Sequence, residues 1–86
     1  MLLTFDETKR QSNIAKHGLD FGAVTIDFFI DAVVLDSRAG RYMAINELNG
    51  EMVVTIIFAP LGSEAISIVS MRRASRKERA IYAKIA

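Results

Sequence analysis

The chain has 86 residues, of which 51% are hydrophobic and none is cysteine, and its formal net charge is only +1. This length and composition fit one folded domain, residues 1–86, and exclude a disordered chain, a membrane-spanning helix, disulfides and cysteine-based sites. The small net charge conceals an asymmetry, because residues 1–70 carry a balance of −4 and residues 71–86 a balance of +5.

The first part of the chain predicts two helices. The stretch DETKRQSNIAKHG offers Asp6 as N-cap and Gly18 as C′ residue, with a thin apolar stripe typical of a surface helix. In LDFGAVTIDFFID, Asp20 is a second cap, and Phe21 and Phe28 fall on one helical face. The apolar start before Asp6 is too short for a signal peptide, so with the lack of cysteine we expect a cytoplasmic protein.

The rest of the chain predicts strands and a final helix. The segments AVVLD, RYMAINEL, EMVVTIIFA and AISIVSM predict four strands, and Asn49-Gly50 is a strong hairpin signal between the second and third. Ser75 and Glu78 form a capping box that opens a helix through about Ile85. The expected fold is α+β: N-terminal helices packed on one face of a roughly four-stranded antiparallel sheet, followed by a C-terminal helix.

Few residues other than arginines are candidates for chemistry. One histidine and no cysteine leave no metal-ligand pattern, and the glycines are dispersed, so we expect neither a metal nor a cofactor. His17 is either a helix-end residue bonded to backbone or part of a polar site. Tyr82 is either a core residue with its hydroxyl at the edge or part of the site.

The stretch SIVSMRRASRKERAIY gathers five basic residues at a strand–helix junction: Arg72, Arg73, Arg76, Lys77 and Arg79. Neighbouring strand residues point to opposite faces, so only one of Arg72 and Arg73 can join the two helical arginines, which share a face. Guanidinium groups grip phosphate bidentately, and the start of a helix adds free N–H groups. Two interpretations stay open: an anion-binding junction, or a solvated face whose arginines pair with Glu47, Glu51 or Glu78.

Two segments resemble the BrnT toxin family. FDETKRQSNIAKHGLDF is similar to the family's opening, F-x-W-D-x-x-K…N…K-H-G-[VI]-x-F, and SIVSMRRASRKERAIY to its closing R-I-I-S-A-R-x-A-x-x-x-E-R-x-x-Y. The resemblance implies a RelE-like fold and a ribonuclease toxin of a bacterial type II toxin–antitoxin system. It further implies metal-independent cleavage of RNA through attack of a ribose 2′-hydroxyl, and inhibition of translation.

The resemblance also implies partners and, with the basic junction, site residues. The partner would be a BrnA-like ribbon-helix-helix antitoxin, with a free monomer, a heterotetrameric complex, DNA contacts only through the antitoxin and no membrane contact. The expected catalytic residues are Arg72, Arg79, Arg41, His17 and Glu78. The expected RNA-binding residues are Arg73, Arg76, Lys77, Lys16 and Tyr82.

The chain departs from the family pattern at three charged positions. Gly40 stands where the family has a glutamate, and Leu61 and Ser67 stand where it has arginines. Losing one clustered catalytic charge commonly costs several kcal/mol of transition-state stabilisation. A second hypothesis is therefore a weakened or inactive toxin-fold module that binds an antitoxin or nucleic acid.

Overall fold

The computed structural model describes residues 1–85, which form a five-stranded sheet, three α-helices and a 3-10 turn. In chain order the elements are β1 (Leu2–Phe5), α1 (Glu7–His17), the 3-10 turn (Phe21–Ala23), α2 (Ile26–Ile30), β2 (Val33–Asp36), β3 (Tyr42–Leu48), β4 (Met52–Leu61), β5 (Ala65–Arg73) and α3 (Arg76–Ile85). None of the helices in this described range is long and apolar enough to cross a membrane.

The sheet is mixed, with the strand order β1-β5-β4-β3-β2. β1 runs parallel to β5, and the other neighbours are antiparallel. The prediction of four antiparallel strands preceded by helices was wrong, because the chain begins with a strand and the sheet has five. A four-residue strand is too short for a clear alternating pattern, and β1 is fixed by its distant partner, with Leu2 opposite Ala65.

Helices cover both faces of the sheet, and not one face as predicted. α1, the 3-10 turn and α2 pack on what we call the α1 face, which carries Ala44, Ile56 and Met71. α3 packs on the opposite face, called the α3 face, which carries Ile45, Thr55 and Arg72. The larger apolar core lies on the α1 face. The smaller one lies under α3 and includes Val33, Ile45 and Ala74.

The local signals for caps and turns are confirmed. Asp6 accepts a hydrogen bond from the Lys9 backbone N–H at 3.0 Å, and Gly18 ends α1 in the left-handed region with φ +69°. Asn49 and Gly50 have φ values of +54° and +72°, the two positive angles that a type I′ hairpin turn requires. These features were predictable because each depends on residues a few positions apart.

The predicted second helix is divided in two. Asp20 caps the short 3-10 turn by accepting from the Gly22 N–H at 2.8 Å, and α2 begins only after Thr25. Glycine and a β-branched threonine both weaken a continuous helix at this point. Phe21 and Phe28 nevertheless lie buried in the same core, so the predicted shared apolar surface is present.

α1 is fastened to an edge of β5 that has no strand beside it among residues 1–85, because β1 pairs with β5 only as far as Ile68. The Asn13 Oδ1 accepts from the Met71 N–H of this edge at 3.0 Å, and Nδ2 donates to the Leu19 carbonyl at 3.0 Å. Asn13 is 6% exposed. Its amide thus replaces a missing strand partner and decides which face of α1 meets the sheet.

Replacing Asn13 with alanine should lower the free energy of unfolding by about 2 kcal/mol, because a buried backbone N–H is left without its acceptor. Urea denaturation measures this loss. Gln11→Ala is the matched control, since Gln11 is exposed and its amide bonds to the exposed Glu7. We expect the control to stay within about 0.5 kcal/mol of the parent. Equal losses in both variants would contradict the role of Asn13.

Candidate functional site

Glu78, in the first turn of α3, accepts four hydrogen bonds. Arg72 donates from Nη1 to Oε1 at 2.6 Å and from Nη2 to Oε2 at 2.8 Å. The Thr55 hydroxyl and the Ser75 backbone N–H each donate to Oε1 at 2.9 Å. Because the Ser75 hydroxyl accepts from the Glu78 N–H at 3.1 Å, the predicted capping box is confirmed. Arg72 is therefore fixed where β5 meets α3.

The surroundings of Glu78 favour its ionised form. The hydrogen bonds from Arg72 do most to lower its pKa to about 2, helped by Ser75 and Thr55 and opposed by burial. The bond to Glu78 in turn raises the pKa of Arg72. A carboxylate that is held ionised and surrounded by donors is a weak proton acceptor. This geometry indicates that Glu78 positions Arg72 and does not act as a proton acceptor.

The lowered pKa of Glu78 makes stability depend on pH below its ordinary value of 4.5. The stabilisation is fully present above pH 4.5 and is lost as the pH falls through about 2, because the unfolded state then binds the proton more readily. Urea denaturation at several pH values should show that Glu78→Gln removes about 2 kcal/mol of this acid-sensitive stability. Parallel pH profiles of the parent and the variant would contradict the assignment.

The adjacent arginines of β5 lie on opposite faces of the sheet. Arg72 is opposite Thr55 on the α3 face, whereas Arg73 is opposite Val54 on the α1 face and is exposed. The strand alternation therefore separates them, as predicted. Of these two arginines, only Arg72 contacts the first turn of α3.

The basic residues of α3 lie away from the sheet. Glu78, Ile81 and Tyr82 turn toward the sheet, so the spacing of 100° per residue puts Arg79 on one flank, Lys77 on the other and Arg76 on the outer side next to Arg79. All three basic side chains are exposed. Ile85, the last residue of α3, is 64% exposed and so is not covered by the sheet.

Arg79 lies at the same junction as Arg72. Its Nη1 donates to the Ala74 carbonyl at 3.2 Å, immediately before the cap of α3. No salt bridge within residues 1–85 involves Arg79. Its positive charge is thus available to a ligand beside the free backbone N–H groups of the helix start.

The α3 face is only partly covered by its helix. Beyond the row of Arg72 and Thr55, two further rows of the register carry half-buried side chains: Ser70, Ile57 and Met43, then Ser67 and Ala59. Arg41, exposed just before β3, continues the second of these rows. Arg41 lies four residues along the strand direction and two strands away from Arg72, a distance of roughly 16 Å. The structure therefore does not bring these two arginines together.

Two of the three departures from the family pattern also lie on this face. Ser67 is opposite Ala59, and Leu61 is opposite Ala65 at the end of the sheet. Gly40 lies in the turn before β3 with φ +75°, where a glutamate would be strained. The resemblance therefore places the family's charged positions 61 and 67 on the same face as Arg72.

Tyr82 is part of the structural core. It packs against the cluster under α3, and its hydroxyl donates to Asn46 Oδ1 at 2.9 Å. Asn46 Nδ2 donates to the Phe28 carbonyl at 3.0 Å and to Asp31 at 2.7 Å. Of the two roles left open for Tyr82, these bonds favour the core residue.

Lys16 and His17 lie exposed at the end of α1, beside a cavity of about 220 Å³ that also reaches Ser70 of β5. No hydrogen bond found in residues 1–85 involves the His17 imidazole, so the bond to backbone, one of the two roles left open for His17, is not made there. Sequence reasoning missed Lys9 and Ser70, which line the same cavity. The helical spacing of Lys9 and Lys16 was a usable signal, whereas Ser70 joins them only through the fold.

No set of three or more histidine and carboxylate side chains in the described part of the chain is placed to hold a metal ion. The structure instead gathers positive charge at the start of α3 and at the end of α1. Guanidinium and ammonium groups on an accessible surface of this kind bind phosphates. The fold and the site thus define a small mixed-sheet domain with exposed positive charge at the start of α3 and the end of α1.

Comparison with known proteins narrows this class. The family described as ribonuclease toxin, BrnT, of type II toxin–antitoxin system matches residues 5–78. The 1.1 Å crystal structure of the Brucella abortus ribonuclease toxin BrnT is 53% identical to this chain, with a TM-score of 0.83, and the match covers 88% of this chain and 99% of that one. No curated protein sequence gives a match. The chain therefore belongs to the BrnT family of ribonuclease toxins, and this membership implies an antitoxin partner.

Proposed function

We propose that the chain is a metal-independent endoribonuclease. The ribose 2′-oxygen attacks the adjacent phosphorus, the bond to the 5′-oxygen breaks, and the products carry a 2′,3′-cyclic phosphate and a 5′-hydroxyl. One proton leaves the 2′-hydroxyl and one is given to the departing 5′-oxygen. The observation that carries the proposal is the pairing of Arg72, held bidentately by Glu78, with the exposed Arg79 at the same helix start.

The two arginines suit the charge that develops on the phosphoryl oxygens. Glu78 occupies one donor on each terminal nitrogen of Arg72, whose side chain is 33% exposed and keeps further N–H groups for a ligand. Arg79 adds a second charge with solvent-facing donors. Donors fixed before the reaction stabilise the transition state without reorganising. Glu78 is proposed as the residue that positions Arg72.

His17 is the proposed proton-transfer group, because imidazole is the side chain most often used for this task and this is the one histidine of the chain. Arg41 is proposed to contact a more distant part of the RNA strand. Arg73, Arg76, Lys77 and Lys16 are exposed and are proposed to attract the RNA backbone through their charge.

The proposed partner is a BrnA-like ribbon-helix-helix antitoxin that covers the toxin and forms a heterotetramer around its own dimer. DNA would then be contacted through the antitoxin alone, and the free toxin would be a monomer in the cytoplasm that inhibits translation by cleaving RNA. Type II toxin–antitoxin membership supports the presence of the partner. The balance of +5 in residues 71–86 suits an acidic segment on it.

Incubating the purified chain with bulk RNA and a chelator tests the proposed activity. We expect RNA fragments whose ends are a 2′,3′-cyclic phosphate and a 5′-hydroxyl. Intact RNA, from a protein that still binds its antitoxin, would contradict the nuclease and leave a binding module.

A further inference from the structure

We infer that the cavity between α1 and β5 is a second phosphate-binding site, which holds a phosphodiester of the RNA next to the one that is cleaved. This inference rests on the proposed function for the identity of the strand. Its residues are Lys9, Ser12 and Lys16 of α1 with Val69 and Ser70 of β5, around Asn13. His17, the proposed proton-transfer group, borders the same cavity.

One face of α1 supplies the two ammonium groups. Lys9, Asn13 and Lys16 follow the spacing i, i+4, i+7, so they lie in one row along the helix. Asn13 in the middle is bonded to the edge of β5, which turns this row toward the strand. Lys9 and Lys16 are thereby placed on either side of Asn13, and both line the cavity. The anchor that fixes the helix therefore also fixes both charges.

The β5 side of the cavity contains a bulge. Ile57 is opposite Ser70 and Phe58 is opposite Ile68, so Val69 is an extra residue without a partner in β4. The bulge lies just past the end of β1, on the edge that α1 covers through Asn13. Backbone groups displaced from the ladder and the Ser70 hydroxyl are hydrogen-bonding groups of the kind that phosphate oxygens use.

The charges in this cavity are not neutralised within residues 1–85. The salt bridges found there involve neither Lys9 nor Lys16, whereas Arg10 of the same helix pairs with Glu7 at 2.8 Å and Asp20 at 2.9 Å. A cavity of about 360 Å³ beside the β3–β4 hairpin has the opposite character, since its charged lining residues are Asp27, Asp31 and Glu47. Of these two polar cavities, the one between α1 and β5 suits an anion.

The cavity and the proposed cleavage site lie along the same strand, β5. Ser70 lines it and lies on the α3 face, two residues before Arg72, a separation of roughly 7 Å along a strand. An RNA strand whose scissile phosphate lies at Arg72 would therefore place a neighbouring phosphate at the cavity. The lysines act as binding residues that align the RNA.

Binding of a short 2′-O-methyl oligoribonucleotide tests the inference, because this probe keeps its phosphates and lacks the attacking hydroxyl. Fluorescence anisotropy gives the dissociation constant between about 0.05 and 0.2 M salt. The test variant is Lys9→Gln/Lys16→Gln. The matched control is Arg38→Gln/Lys84→Gln, which removes the same charge from two exposed residues outside both proposed sites. Circular dichroism checks that both variants are folded.

We expect the logarithm of the association constant to fall less steeply with the logarithm of salt concentration in the cavity variant. The slope should be smaller in magnitude by about 0.7, the value for one phosphate on a single strand. At 0.1 M salt this slope corresponds to binding about fivefold weaker. The control should keep the parent slope.

Equal slopes in the cavity variant and the control would overturn the inference, as would a parent protein that does not bind the probe. Cleavage of natural RNA is measured separately. A chain that binds through these lysines but cleaves nothing would retain the phosphate site and refute the proposed nuclease. A chain that cleaves RNA but binds the probe equally well without the two lysines would support the proposed nuclease and refute the second phosphate site.

Discussion

Arg79→Ala should lower the rate of RNA cleavage by about 100-fold, the usual cost of removing one fixed donor to developing negative charge. The side chain is exposed, and its one hydrogen bond in the described part of the chain is donated to the Ala74 carbonyl. The free energy of unfolding should therefore change by less than about 1 kcal/mol. Cleavage of an oligoribonucleotide under single-turnover conditions, paired with urea denaturation, measures both quantities.

Two further variants sharpen this prediction. Arg79→Lys keeps the charge but not the planar fork, so it should recover only part of the rate. Arg38→Ala removes an exposed arginine from the turn before β3 and should leave the rate unchanged. Cleavage by Arg79→Ala at the parent rate would contradict the placement of the phosphate at the start of α3.

Glu78→Ala should lower the free energy of unfolding by about 3 kcal/mol, because it leaves the half-buried charge of Arg72 without its carboxylate. The buried hydroxyl of Thr55 loses its acceptor, and α3 loses half of its capping box. For a domain of this size such a loss lowers the melting temperature by about 15 °C. Differential scanning calorimetry gives the melting temperature directly.

Cleavage should also fall in Glu78→Ala at temperatures where the variant remains folded, because Arg72 is released from its fixed position. Glu64→Ala, in the exposed turn between β4 and β5, is the matched control and should leave both stability and cleavage unchanged. A variant of Glu78 as stable as this control would show that the hydrogen bonds around its carboxylate contribute little.

Sequence patterns predicted those parts of the fold that depend on neighbouring residues. The capping box of Ser75 and Glu78 and the hairpin at Asn49-Gly50 each need only a few adjacent positions. The parallel pairing of β1 with β5 joins residues 2–5 to residues 65–68, and no local pattern encodes it. The same is true of Asn13, whose polar side chain is buried because it replaces a strand partner.

The candidate site was predictable to a similar degree. The alternation of Arg72 and Arg73 follows from strand periodicity, and the neighbouring positions of Arg76 and Arg79 follow from helix periodicity. Pairing of an arginine with Glu78 was one of two open interpretations, and the structure shows it together with an exposed Arg79. The two interpretations are thus compatible, since the ion pair fixes one arginine and leaves another for a ligand.

The roughly 16 Å between Arg41 and Arg72 could not be predicted, because it depends on the register of three strands. The cavity that joins Lys9 and Lys16 to Ser70 was missed for a related reason. It forms where β1 ends and α1 replaces it, and this boundary is set by tertiary pairing.

The most direct test of the proposed activity compares an oligoribonucleotide with the same sequence carrying 2′-O-methyl groups, both incubated with the purified chain and a chelator. Attack by the ribose 2′-hydroxyl predicts that the first is cut to fragments ending in a 2′,3′-cyclic phosphate, while the second stays intact. Cleavage of both, or of neither, would contradict this mechanism.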